Sequence, residues 1–337
     1  MPQRRGLDTT RGAVGSGALV RTRFGGRTRT TSALAALLRV TVRPVIGAWS
    51  VNPGLPWPYL VVDYVGRPLR RARGTTARPV ALRHCAAELV TPSSSTSGRH
   101  ILYLHGGAFV VGGRHLHRQL VSHVAQTADA TALVVGYRKL PKHSITTAIA
   151  DCVDGYRYLL ASGVAPEQIV FAGDSAGGYL VLMTAVTALR EGLPAPAGIV
   201  AMSPLTDFDP THKVSAPTAQ TCALFTPTAM YAFEKFARIG GEVVPSPADA
   251  DLRGLPPTLV QAAEGEILYP DAELVARRLA AAGVACELQT WDNAIHVFQA
   301  AAAISREAAQ AVALIGAFAQ RVAPTAVEQL EVDLVAG

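Results

Sequence analysis

Apolar positions along this chain follow two periods that alternate. Short continuous apolar runs at 101–104, 131–137, 169–172, 197–202, 257–263 and 285–291 predict strands, and 80–90 is strand-like as well. Between them, 115–127, 146–161, 178–190, 272–282 and 300–322 carry apolar residues at helical spacing. Strands that are apolar throughout, separated by helices, are what a parallel sheet covered on both faces requires. The pattern predicts a doubly wound α/β fold, with a Ser-rich turn at 91–98.

Two stretches stand outside that alternation. Leu34, Leu37, Leu38 and Val42 recur at spacings near three and four, which predicts a helix ending near Pro44, and residues 59–69 could form a second helical piece after Pro53, Pro56 and Pro58. Residues 207–252 carry Pro210, Pro217, Pro227, Pro245 and Pro247 around a helical patch at 228–237. An insertion that follows a strand, above its C-terminal end, is a natural lid over a site built there. The expected organisation is a disordered basic arm at 1–31, one α/β domain over 32–322 with cap segments at about 32–69 and 208–250, and a tail at 323–337.

Composition agrees with a compact fold, since 49% of the residues are hydrophobic and 17% are charged. The net charge of +6 is concentrated at the start, where Arg4, Arg5, Arg11, Arg21, Arg23, Arg27 and Arg29 face a single acid, Asp8. That excess reads as a solvated arm rather than a nucleic-acid-binding face. Cys85, Cys152, Cys222 and Cys286 show no metal-ligand spacing and read as buried hydrophobes, which suits a cytoplasmic, reducing compartment. The most apolar N-terminal piece, 33–51, is interrupted by Arg39, Arg43 and Pro44, so no membrane span is expected; peripheral membrane contact and a homodimer remain open to the chain.

Chemistry enters at Ile169-Val170-Phe171-Ala172-Gly173-Asp174-Ser175-Ala176-Gly177-Gly178, where an apolar strand runs into Gly-x-Ser-x-Gly and then a helix. A serine on such a turn projects its hydroxyl from the sheet edge as a nucleophile. The plain alternative is a serine that only caps the helix. Acyl transfer also needs donors for the oxyanion, a base and an acid that orients it. His105-Gly106-Gly107-Ala108-Phe109 directly follows the strand at 101–104, and the amides of Gly107 and Ala108, with Gly106 beside them, could join that of Ala176 around the developing charge. His296 lies between the last strand and the last helix, where the base of such a hydrolase falls. For the acid, Glu264, Glu266 and Asp271 all follow the strand at 257–263.

These motifs, together with Tyr137-Arg138, Ser203-Pro204-Leu205-Thr206-Asp207 and His296-Val297-Phe298, resemble the hormone-sensitive-lipase-like branch of the α/β hydrolases, whose bacterial esterases look most similar. The resemblance covers about residues 78–322 and implies a two-part cap from the two outlying segments. It also implies an acid thirty residues before the base, which is Glu266, where that branch usually has Asp; Asp271 is the reserve. A second departure is Leu140-Pro141-Lys142-His143-Ser144-Ile145-Thr146, where Lys142 replaces an acid of the pattern. The implied function is a serine carboxylesterase acting on a small acyl ester, with no metal or organic cofactor. The same machinery on N-acyl bonds, as an amidase or deacetylase, and a non-catalytic receptor resembling the gibberellin receptors are the alternatives.

Overall fold

The computed structural model describes residues 17–25, 28–238 and 243–325. Its centre is a nine-stranded sheet in the order β1-β9-β8-β7-β6-β4-β5-β3-β2. The strands are β1 (Leu19–Phe24), β2 (Thr75–Ala81), β3 (Ala86–Pro92), β4 (Arg99–Leu104), β5 (Ala130–Gly136), β6 (Ile169–Asp174), β7 (Gly198–Met202), β8 (Thr258–Ala263) and β9 (Cys286–Trp291). β2 and β3 pair antiparallel, as do β3 and β5, and every other pairing is parallel.

Alternation along the strands explains why both faces are covered. Leu102, Leu104, Leu133, Val135, Phe171, Ile199 and Val260 point to one face, into a core shared with α4 (Ile145–Ala161), α5 (Ala176–Arg190) and α9 (Tyr269–Ala281). Their neighbours Ile101, Tyr103, Ala132, Val134, Val170, Ala172 and Val200 point the other way, against α3 (Arg118–Thr127) and α10 (Arg306–Val322).

Several sequence expectations change. The strand-like stretch at 80–90 is two strands, β2 and β3, because Leu82 to Cys85 turn the chain into a hairpin closed by a bond from the Leu82 amide to the Cys85 carbonyl, 2.9 Å. The last helix is divided: a short 3₁₀ turn, Phe298–Ala301, precedes α10, whose N-terminus is set by Ser305 accepting from the Ala308 amide.

The basic arm is also shorter than expected. Residues 19–24 form β1, parallel to β9, with Phe24 stacked on Trp291 at 4.6 Å. Arg21 and Arg23, read as solvated charge, bridge Glu273 at 2.9 Å and Glu264 at 2.7 Å. Residues 1–16 of the expected arm and 326–337 of the expected tail lie outside the described residues.

The cap comes from both outlying segments. α1 (Arg29–Val51) starts at the Thr28 cap and runs through Pro44, seven residues beyond the expected stop, and α2 is Tyr59–Val65. α6 (Thr211–Ser215), α7 (Thr218–Thr221) and α8 (Pro227–Ala237) make up the insertion. Trp49 of α1 meets Phe236 of α8 edge-on at 5.5 Å, and Tyr59 of α2 approaches the same ring at 6.5 Å. By length and composition α1 is apolar enough to cross a membrane, which corrects the expectation of no such segment.

Candidate active site

Ser175 sits between the end of β6 and the start of α5 with φ 55° and ψ −115°, a conformation that L-residues rarely hold without support from their surroundings. The support is visible. Its amide donates to the Met202 carbonyl at 2.8 Å, and its carbonyl accepts from Leu205 at 3.2 Å. A Cβ at Gly177 would overlap the Leu104 backbone, and one at Gly173 would overlap the Gly177 carbonyl, so both flanking glycines are there for clearance. Ser175 stands at the helix N-cap, yet its side chain makes no capping bond. The hydroxyl faces His296 instead, with Oγ 2.9 Å from Nε2.

His296 arrives from the loop after β9. Its Nδ1 lies 2.5 Å from Glu266 Oε2, and the other carboxylate oxygen accepts from the Ala263 amide at 3.0 Å. An ionised carboxylate only accepts, so Nδ1 donates and a neutral ring presents a lone pair on Nε2 to the serine hydroxyl. Glu266 is 1% exposed, His296 8% and Ser175 9%, so exposure increases toward the serine.

The other two acid candidates are engaged elsewhere. Glu264 holds Arg23 through both carboxylate oxygens at 2.7 Å and accepts from the Thr290 hydroxyl at 2.8 Å. Asp271, at the start of α9, pairs with buried Lys213 at 2.9 Å and accepts from the amides of Thr206 and Asp207 at 2.8 and 3.1 Å. It ties the root of the insertion to the start of α9.

The oxyanion candidates lie on the loop after β4 and at the start of α5, and the loop packs against the serine elbow where Gly177 meets the Leu104 and His105 backbone. Ala108 and Phe109 have positive φ, 54° and 58°, and Gly107 has φ 116°. The turn is closed by the Gly107 carbonyl, which accepts from Val110 and Val111 at 3.0 and 2.9 Å. Ala176 opens α5, where the first N–H groups have no acceptor inside the helix. Beneath Gly106, a Cβ would collide with Asp174. The loop is also pinned from the side: Tyr137 donates its hydroxyl to the His105 carbonyl at 2.7 Å and stacks on that ring at 4.3 Å. The segment that departs from the family pattern still reaches this loop, since the Leu140 amide donates to the Phe109 carbonyl at 2.9 Å, whereas Lys142 is exposed; just before the segment, Lys139 Nζ donates to the Gly112 carbonyl at 2.8 Å.

Several residues around the site gave no sequence signal of a role. The Ser203 hydroxyl accepts from the Val297 amide at 3.1 Å, and both residues sit at positive φ, 45° and 52°. Phe225 of the insertion meets the His296 ring edge-on at 5.1 Å. Asp174 accepts from the Tyr103 hydroxyl at 2.7 Å and faces His117 at 3.4 Å. Burial opposes charge on both partners, but their mutual attraction outweighs it, holding His117 above and Asp174 below their ordinary values. His105 is different, because burial first, and then Lys139 and His117, push it well below the usual imidazole range. Ser203 and Asp174 lie inside recognisable motifs, but their partners are distant in sequence and no spacing rule connects them.

Among the described residues no group of three or more His, Cys, Asp or Glu could hold a metal. All four cysteines are free thiols, three of them buried and Cys85 partly exposed.

A central parallel sheet with a serine elbow at the end of β6 and a histidine after β9 is the arrangement of the α/β hydrolases, and the alpha/beta hydrolase fold family matches this sequence over residues 101–300. The chain belongs to that family. Esterase LipU of Mycobacterium tuberculosis is 41% identical over 292 residues, 83% of this chain and 98% of LipU. Carboxylesterase/phospholipase LipF of the same organism is 39% identical over 299 residues, 85% of this chain and 80% of LipF. The crystal structure of an esterase from the bacterial hormone-sensitive lipase family superposes with a TM-score of 0.79 at 29% identity, covering 88% of this chain and 99% of that one. The hormone-sensitive-lipase-like branch is therefore its place in the family, and carboxylic ester hydrolysis its activity. The receptor alternative falls away.

Proposed function

We propose that the chain is a serine carboxylesterase that cleaves short- to medium-chain acyl esters through Ser175, His296 and Glu266 and an acyl-enzyme intermediate. The single observation carrying this reading is the unbroken line from Ser175 Oγ through the His296 ring to Glu266, 2.9 Å and 2.5 Å long.

In this mechanism Ser175 Oγ forms a bond to the ester carbonyl carbon as His296 Nε2 takes the hydroxyl proton. The carbonyl electron pair moves onto oxygen, where the amides of Gly107, Ala108 and Ala176 receive it, with Gly106 giving the loop its close approach to Asp174. The carbon–oxygen bond to the alcohol then breaks, and His296 returns its proton to the leaving alkoxide. Water repeats the two steps on the acyl enzyme and releases the acid. Glu266 keeps the proton on Nδ1 and balances the imidazolium that forms in each half.

The size preference draws on the cap. Phe208 and Phe233 stack at 5.9 Å and pack with Phe109 and Tyr179, so the aromatic insert is largely filled by its own rings. A cavity of about 500 Å³ touches His296 and Glu266 on the side away from the nucleophile, and Ser175 is not among the residues that line it. Rings already packed on one another support a modest ester rather than a long acyl chain.

The test is hydrolysis of nitrophenyl esters from about two to sixteen carbons by wild type and Ser175→Ala, with kcat/KM expected to rise toward about six to eight carbons as methylenes are buried and then fall. Ser175→Ala should keep less than about a thousandth of the wild-type rate. A maximum at the longest chain, or a near-normal Ser175→Ala, would overturn the corresponding half of the reading.

A further inference from the structure

The outer face of the cap is apolar where a soluble surface is normally polar. Leu37, Val40 and Val45 of α1 and Leu60, Val61 and Val65 of α2 are each more than half exposed, Val40 at 73% and Leu60 at 75%. They are not scattered. Ala33, Leu37, Val40, Pro44 and Val51 follow the spacing of one helical face, and all are exposed. The opposite side of α1 is apolar too, with Leu34, Ala35 and Leu38 packed toward Ala223 and Ile295 and Trp49 on Phe236. Within α1 only Thr31 and Ala35 are fully buried in the protein. A helix with apolar residues on two opposite faces, one of them packed on the protein, needs apolar surroundings for the other as well.

Charge around this face identifies the surroundings. Residues 28–73 contain Arg29, Arg39, Arg43, Arg67, Arg70, Arg71 and Arg73, and a single acid, Asp63. That carboxylate is turned inward, accepting from the amides of His115 and Leu116 at 3.1 and 3.0 Å. Arg71 is held by Glu88 at 2.8 Å, and Arg67 lies over the Tyr64 ring at 4.5 Å. Exposed aliphatic side chains on a segment with seven arginines and one inward-turned acid match an anionic lipid interface, which supplies hydrocarbon and negative headgroups together. A second copy of the chain fits poorly, because a two-fold interface on this face would set the same arginines against one another. A membrane-crossing helix fits poorly too, since Arg39 and Arg43 lie at mid-length and Arg39 is bonded to the Thr221 carbonyl at 2.8 Å.

We propose that the outer faces of α1 and α2 dock on an anionic lipid surface, with the helices lying in the interface.

Flotation of the full chain with vesicles tests this directly, using phosphatidylcholine alone and with about 30% phosphatidylglycerol. Binding is expected to the anionic vesicles and to weaken in high salt. Leu37→Glu/Val40→Glu/Leu60→Glu should cut the bound fraction at least about tenfold, and Arg67→Gln/Arg70→Gln/Arg73→Gln several-fold. Turnover of a soluble short ester should stay at the wild-type rate in both, which reports that the variants fold; the single variants Val40→Glu and Leu60→Glu serve if the triple one does not. Absence of binding, equal binding to neutral vesicles, or binding that the glutamate variants leave unchanged would each overturn the proposal. So would a solution dimer that Val40→Glu splits, which would assign the face to a second copy.

Discussion

The Ser203 hydroxyl accepts the amide N–H of Val297 at 3.1 Å, linking the end of β7 to the residue that follows His296. Both residues are held at positive φ, so the bond fixes a loop that the backbone alone would not favour. Ser203→Ala removes the acceptor and leaves a partly buried donor unpaired, which costs about 1–3 kcal/mol. A loosened imidazole should lower kcat by about ten- to a hundredfold with little change in KM. Steady-state kinetics on one short ester, with Tm measured alongside, checks both halves. An unchanged kcat would mean that Phe225 and Glu266 suffice to hold the ring.

Glu266 and Asp271 should separate cleanly by what fails. Glu266→Gln leaves the fold but removes the charge facing the imidazolium, and kcat should fall by about 10²–10⁴. Asp271→Asn strands Lys213, buried at 1% exposure, and should cost about 3–5 kcal/mol of stability while the folded fraction turns over normally. Chemical denaturation and kcat measured on the same samples distinguish the two. Loss of kcat in Asp271→Asn at full stability would reassign the acid.

The His117–Asp174 pair gives stability a defined pH dependence. His117 is held above its ordinary value of 6.5, so its protonation contributes fully below 6.5 and that contribution is lost as pH rises through the folded-state value. Asp174 is held below 3.8, so its contribution is present above 3.8 and is lost as pH falls through its folded-state value. His105 is held well below 6.5 and resists protonation, so it removes stability as pH falls below 6.5. The Tm advantage of wild type over His117→Gln should therefore be larger at about pH 6 than at about pH 9. A constant difference across that range would show that His117 carries no charge in the folded protein.

Phe24 tests whether β1 is an integral strand. Phe24→Ala removes the ring stacked on Trp291, worth about 0.5–1.5 kcal/mol beyond the area it buries. Tm should drop and the Trp291 fluorescence should shift toward that of a more solvated indole. Unchanged thermal melting would make β1 a loosely held edge.

Sequence determined the elements whose signal is local. The runs at 101–104 and 169–172 are strands because every position in them is apolar, and the elbow at Ser175 is legible because its glycines must stand two residues to either side. His296 was legible from chain order alone. Tertiary structure decided what depends on distant partners. β1 has a weak apolar pattern and many arginines, and it becomes a strand only because β9 offers an open edge and Glu264 and Glu273 lie beside it. Position after β8 does not separate Glu264, Glu266 and Asp271, and among sequence arguments only the family resemblance, with its thirty residues to His296, pointed to Glu266; in the fold each carboxylate is defined by the cation, amide or imidazole brought to it. Ser203 and His117 carry no local mark for the same reason: a hydrogen bond is made over about 3 Å in space, and their partners Val297 and Asp174 are neighbours only after the sheet has closed.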